Sequence, residues 1–443
     1  MKSVLVIGGG FAGLSAGVFL AQKGFTVTLI EQRRILGGRS YSVEDGLNGD
    51  LVDNGQHILW GSFNETRNLL KTIGTDHQVR FQKRMHLLML QPDGKRMALS
   101  ASFLPAPFHL CGSFLFNPEI LWKDRFRLLK AGLSITFKNS LPDTWTVKHW
   151  LDQMGLQESV RRQWWNPLAT TLLNEQPHKA SADLFLKALK KTFWGRNRHS
   201  AIGVIQADMG DLYTEQARKF IQERGGEVYL NAAASRILVS DGQVDGVILR
   251  NGGVITADAT ISAVPYHVLR RLLPQELTGQ KKPFAYLPVL RHSPMIATHL
   301  WFDRPVMEEE FVGLINSPIH WVFNKSSLWT EGEKTAGALS CHSSAVRNLV
   351  QRPKDVLINT AIRELSRFFP EVKKARLVHS RLVKERQATL SCTPEAERLR
   401  PEQKTPVRNF YLAGDWTRTG LPASIESAVV SGRRCADLIE QAG

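Results

Sequence analysis

Three glycines, Gly8, Gly10 and Gly13, follow the apolar run Val4-Leu5-Val6-Ile7 and open a helical pattern that continues through Val18, Phe19 and Leu20. At this spacing each glycine has its own use. Gly8 permits a tight turn, Gly10 lets the backbone approach a pyrophosphate with no Cβ in the way, and Gly13 lets the helix pack closely on the strand. Phe11 and Ala12 fall in the helix N-terminus, where free N–H groups and the dipole favour an anion. A second strand pattern, Thr26-Val27-Thr28-Leu29-Ile30, ends at Glu31, 18 residues beyond Gly13. A carboxylate there can accept both hydroxyl protons of an adenosine ribose and would repel a 2′-phosphate. Strand, glycines, helix, strand and acid in this order predict a dinucleotide site rather than a bare glycine turn.

Directly after the acid comes Glu31-Gln32-Arg33-Arg34-Ile35-Leu36-Gly37-Gly38-Arg39. A second glycine pair followed by arginine would bring amides and a guanidinium to the same doubly charged pyrophosphate. Nicotinamide dehydrogenases do not need this second clamp, and the arrangement resembles the FAD enzymes of the amine oxidase and phytoene desaturase superfamily. The resemblance implies FAD as the dinucleotide, with Gln32, Gly38 and Arg39 among its contacts. The next polar stretch, Asp53-Asn54-Gly55-Gln56-His57, suits a loop that reaches the flavin ring. Asn54, Gly55 and Gln56 are expected at the cofactor. His57 is a candidate proton donor with Asp53 as the group that orients or charges it; the alternative is that both only hydrogen-bond the loop or the cofactor.

The closing stretch mirrors the first. Phe410-Tyr411-Leu412-Ala413-Gly414-Asp415 reads as a strand ending in Gly414 and Asp415, and a helix opens at Ser424 and Ile425. Asp415 can bond the ribitol or ribose side of the cofactor. The helix N-terminus can set amides and a positive dipole end at the flavin edge that gains negative charge on reduction. The superfamily commonly has glycine where this chain has Ser427, which raises a question about helix packing there. In the superfamily a middle strand near Ala234 meets the adenine and another ends at the position of Ala263.

These motifs need elements from both ends and the middle of the chain. The reading is an α/β fold: a Rossmann-like FAD-binding domain assembled from residues 1–62, 205–266 and 400–443, with a discontinuous α+β substrate domain from 63–204 and 267–399. The piece near 400–406 reads as an exposed connector. Residues 141–200 look helical and aromatic, and hold Trp164-Trp165-Asn166-Pro167-Leu168-Ala169 and Leu172-Leu173-Asn174-Glu175. Such helices could wall an apolar tunnel or simply form core. Together with the Asn54 to His57 segment, this block resembles the squalene-associated FAD-dependent desaturases, understood as hydroxysqualene dehydroxylases. The resemblance implies Trp165, Pro167 and Asn174 as substrate contacts, a long isoprenoid substrate, and an electron donor that the sequence does not identify. A carotenoid-type desaturase running the flavin in the oxidising direction is the alternative, and a lipid escort without catalysis a more distant one.

Composition sets the surroundings. The chain has 443 residues, 43% hydrophobic content and a net charge of +16, which calls for an anionic partner or surface. Nucleic acid is disfavoured, because the cations are scattered and no zinc spacing or named reader motif is present. Residues 103–118 are apolar and aromatic but broken by prolines, too interrupted for a spanning helix. The stretch from Trp122 to Lys138 alternates cations with apolar residues. Together they read as an interfacial contact with an anionic membrane, an ordinary lid or core helix being the alternative. The four cysteines are far apart and form no CxxC, so reduced thiols, no metal and a cytoplasmic location at the inner membrane face are expected, with no secretory signal.

Overall fold

The computed structural model describes residues 2–47, 49–118, 120–280, 282–328 and 337–442. The first strand, Ser3–Ile7, lies at the centre of a five-stranded parallel sheet. Thr26–Ile30 and then Glu227–Tyr229 flank it on one side, and Ala259–Ser262 and then Phe410–Leu412 on the other. Val4 is in register with both Val27 and Ala259. Strands buried on both faces need the continuous apolar runs seen in the sequence.

The helix Phe11–Gln22 is buried along nearly its whole length, because the sheet covers one side and the last helix, Ile425–Ala442, covers another. Their approach is set by glycine. A Cβ on Gly432 would lie 2.2 Å from Ser15 Oγ and 2.4 Å from the Ala12 carbonyl oxygen, so the two backbones touch.

A second, seven-stranded sheet is built in the order Leu377–Leu390, His292–Phe302, Ala338–Ser344, Trp321–Asn324, Phe311–Leu314, His86–Leu90 and Arg96–Ser100. The helix Lys354–Phe368 covers part of it, with Ala361 and Leu365 packed among Leu300, Leu339 and Cys341. On the cavity side stand the helices Asn166–Leu173 and Ala182–Phe193. Glu175, which follows the first of these, is fully buried and accepts a bidentate pair from Arg347 at 2.7 and 2.6 Å, with Ser391 Oγ as a further donor. Burial alone would raise this carboxyl's pKa, but Arg347, Ser391 and the Gln176 N–H together hold it below its ordinary value. The pair pins helix to sheet.

The connector near 400–406 is not exposed as expected. Arg400, Gln403 and Thr405 are buried. Arg400 donates to the carbonyls of Thr417, Asp415 and Leu421, at 3.0 Å from Nε to Thr417, 2.9 Å from Nη2 to Asp415 and 2.8 Å from Nη1 to Leu421. Ser427, in place of the superfamily's glycine, shares a 2.7 Å hydrogen bond with Thr419. A small hydroxyl therefore packs where a larger side chain would not, and it ties the same loop that Arg400 braces.

Replacing Arg347 by methionine leaves Glu175 buried without its charge partner, and the expected cost is about 3–5 kcal/mol, read as a lowered urea midpoint. An unchanged midpoint would remove the pair from the list of structural joints.

Candidate functional site

The turn after the first strand forms as the glycine spacing requires. Gly8 has φ +109°, and a Cβ on Gly13 would lie 1.9 Å from the Gly8 carbonyl oxygen, so this glycine sits under the turn rather than in the cavity wall. Glu31 accepts the Gly9 N–H at 2.8 Å and the Arg33 N–H at 2.9 Å, one on each oxygen. Each oxygen keeps a lone pair for a ribose hydroxyl. Gly38, at φ +62°, faces Gly10 so closely that a Cβ would stand 3.1 Å from the Gly10 Cα. Tyr213, which sequence reasoning passed over, stacks on Phe11 with ring centroids 3.7 Å apart and its hydroxyl donates to the carbonyls of Gly37 and Ser40, each at 2.9 Å. No spacing motif marks it.

These residues open into a cavity of about 520 Å³. Gly8, Gly10, Phe11, Ala12, Glu31, Gln32, Gly38, Arg39, Asn54, Gly55, Gln56, His57, Ala234, Ala263, Gly414, Asp415, Ser424, Ile425 and Asn174 all line it. The glycine cradle, the acid and the start of the helix Ile425–Ala442 fit a dinucleotide with a flavin end. The Ser424 hydroxyl accepts the Ser427 N–H at 3.2 Å and caps that helix. The Arg39 guanidinium bonds the Asp415 carboxylate and, at 3.0 Å, the Ala388 carbonyl.

Two expected contacts are corrected, those of Trp165 and Pro167, and Asp53 keeps the charge interaction with His57 expected of it. Asp53 lies outside the cavity: it is 1% exposed, accepts from Ser42 Oγ at 2.6 Å and from Lys325 Nζ at 3.1 Å, and reaches His57 only through its charge. Trp165 and Pro167 do not line the cavity. The π-helical turn Arg161–Trp165 buries Trp165 in the core, edge-on to Phe185. The cavity's aromatic walls come instead from Trp60, Trp321, Phe323 and Trp416. Asn174 lines the cavity but also ends its helix in the left-handed region, φ 47°. Its amide bonds Thr389 Oγ1 at 2.9 Å and accepts the Ala345 N–H at 2.8 Å.

Behind His57 lies a buried polar network that no sequence motif announced. Lys325 Nζ donates to Gln56 Oε1 at 2.9 Å as well as to Asp53. The Gln56 N–H meets His342 Nε2 at 3.2 Å, and Ser340 Oγ lies 2.8 Å from the same nitrogen. The loop 53–57 is thus held from below by a strand and a lysine far along the chain. Among the described residues the Nε2 of His57 and the Nε2 of Gln56 are buried with no partner in the chain. Burial pushes the His57 imidazole below the ordinary histidine value, with the Asp53 charge opposing and that of Lys325 assisting. Burial likewise takes His299 down to about 3 and His342 well below its ordinary value.

A profile of the flavin containing amine oxidoreductase family matches residues 11–440. The chain is 31% identical over 464 residues to the 15-cis-phytoene desaturase of an Oncidium hybrid cultivar, covering 99% of this chain and 78% of that protein. It is 28% identical over 457 residues to the hydroxysqualene dehydroxylase of Rhodopseudomonas palustris, covering 100% of this chain and 99% of that one. Among solved structures, an oxidoreductase from Methanosarcina mazei superposes with a TM-score of 0.74 at 17% identity, covering 99% of this chain and 100% of the other.

Two outcomes follow from this geometry. Gly38→Ala would strain a left-handed backbone against Gly10, and the purified variant should lose at least tenfold in dinucleotide affinity with an unchanged far-ultraviolet circular dichroism spectrum; full retention of the cofactor would refute the cradle. The neutral buried histidines should make the protein acid-labile. His299 binds its proton more weakly folded than unfolded, so stability is fully present above the ordinary value of 6.5 and is lost as pH falls from there toward about 3. Each such group contributes at most about 1.4 kcal/mol per pKa unit. The urea midpoint should fall steadily below pH 6.5, and His299→Gln should flatten that fall.

Proposed function

The chain belongs to the flavin containing amine oxidoreductase family, and from that premise we propose that it removes the hydroxyl of hydroxysqualene reductively to give squalene. The cofactor of the family is FAD. The observation that carries the finer reading is the end-to-end match to the Rhodopseudomonas palustris hydroxysqualene dehydroxylase, joined to a cavity whose reacting end combines aromatic walls with an unpartnered histidine.

FAD, when bound, supplies the hydride. Glu31, the Gly10–Gly38 cradle and the capped helix at Ser424 would hold it. What remains for the chain is to move a proton and protect a cation. An allylic hydroxyl leaves as water once protonated, and His57, which lines the cavity with its Nε2 buried and unpartnered in the chain, is the candidate donor. Its depressed pKa makes the imidazolium scarce at neutral pH but a stronger acid when formed, so the rate should rise as pH falls. The faces of Trp60 and Trp321 can stabilise the allylic cation. Dry walls also keep water from capturing it.

A second reading has its own support, since the Oncidium phytoene desaturase matches at 31% identity. That reaction would run the flavin in the oxidising direction. Anaerobic mixing separates the two: the dehydroxylase reading expects reduced holoenzyme to reoxidise on adding hydroxysqualene, with His57→Ala slowing that single turnover by about 10²-fold or more. Bleaching of oxidised holoenzyme by a partly saturated polyprenyl hydrocarbon would establish the desaturase instead.

The substrate's solubility implies a lipid source, and the surface of residues 103–137 supports an anionic membrane. Phe103, Phe108, Phe116, Trp122, Phe126 and Phe137 are each between 56% and 84% exposed. They sit beside Lys123, Lys130 and Lys138 on the helix Trp122–Phe137 and its end, whose opposite face buries Leu128, Ala131 and Ile135. No described helix is long and apolar enough to cross a membrane. Contact at the interface fits aromatic side chains below the headgroups and cations among them. Changing Phe116, Trp122, Phe126 and Phe137 together to serine should abolish co-sedimentation with phosphatidylglycerol-containing vesicles; undiminished binding would move the contact elsewhere.

A further inference from the structure

A second cavity, of about 580 Å³, adjoins the first. Its walls carry Arg270 and Arg271 from the last turn of the helix Tyr266–Leu272, Arg291, and the side chains of Tyr266, His267 and His292. His267 and Gln387 line both this cavity and the dinucleotide cavity. Among the described residues no carboxylate pairs with any of the three arginines. Arg291 uses Nη1 on the carbonyls of Pro288 and Leu290, at 2.6 and 3.1 Å, which fixes its guanidinium and leaves the other edge open.

Two buried polar atoms add a separate observation. Tyr266 is 4% exposed, stacks on His292 at 4.6 Å between centroids, and its hydroxyl has no partner in the chain. The Nδ1 of His292 is likewise buried and unpartnered, while its Nε2 meets His267 Nδ1 at 3.1 Å. Burial holds His292 near 4 and lowers His267 as well, so the charge in this pocket is the arginines' alone. Three guanidinium groups with no carboxylate partner suit a ligand with several acidic oxygens.

We propose that this pocket binds a diphosphate ester, and that its source is the reduced nicotinamide dinucleotide that recharges the enzyme. The first half stands on the pocket alone; the second rests on the dehydroxylase reading. Replacing an allylic C–OH by C–H takes up two electrons and two protons and releases water. Each turnover therefore draws one hydride equivalent from outside, and a dihydronicotinamide gives one up as it becomes the pyridinium. Such a molecule carries its diphosphate at its centre, with two negative charges for the arginines.

The test is calorimetric titration of the FAD-loaded full chain with inorganic pyrophosphate, with the cofactor's own site already filled. The intact protein should bind it, and Arg270→Ala/Arg271→Ala should weaken binding at least tenfold with bound flavin unchanged. Arg291→Ala is the second variant, so a misfolded double variant leaves the test intact. No binding by the intact protein, or equal binding by all three, overturns the site. Competition against pyrophosphate by reduced nicotinamide dinucleotide, but not by geranylgeranyl diphosphate, supports the reductant; the reverse pattern overturns that assignment. Because no substrate is present, failure here is distinct from failure of the dehydroxylase reading.

Discussion

Arg39 and Asp415 lie 376 residues apart, yet their side chains pair in the wall of the cofactor cavity. The same guanidinium donates to Ala388 on the strand Leu377–Leu390. One side chain thereby joins the second glycine pair, the segment that follows the last strand of the parallel sheet, and the edge strand of the seven-stranded sheet. The Asp415 carboxylate is 6% exposed, so removing Arg39 alone would leave a buried charge without its partner. The cavity exists because these three segments are held at one point. Arg400 supports the same junction from beneath by taking the carbonyls of Asp415 and Thr417.

The chemistry depends on a second constraint, the buried lysine under the loop 53–57. Lys325 neutralises Asp53 and orients Gln56, and His342 receives the next backbone N–H. With these contacts made, His57 lines the cavity while its Nε2 stays buried and without a partner in the chain. A loop so held does not need to reorganise when substrate arrives, which is where preorganised sites gain their effect. The cost is a set of histidines kept neutral by burial.

Much of the cofactor half was legible in the sequence because its physics is local. Gly8, Gly10 and Gly13, the run Val4 to Ile7 and Glu31 lie within one strand-turn-helix-strand unit, where spacing alone dictates backbone shape. The helix opening at Ser424 was legible for the same reason. The residues that were missed work across the fold. Lys325, Tyr213 and Arg400 meet partners hundreds of residues away or on unrelated elements, and nothing in their neighbours marks them. Trp165 shows the opposite error: its composition suits a tunnel wall, but a π-helical turn rotates it into the core, and helical phase is what composition does not carry. Asp53 is the immediate neighbour of Asn54, which lines the cavity, and strand alternation turned it away from the site.

In the proposed reaction, hydride reaches the allylic carbon from the bound flavin while the chain supplies only the proton and the walls. The most direct measurement is a single anaerobic turnover in heavy water, with holoenzyme reduced beforehand so that the flavin's exchangeable hydrogen is deuterium. Squalene recovered from hydroxysqualene should carry one deuterium at the former carbinol carbon. Squalene without deuterium, or a product with an additional double bond, would contradict the account.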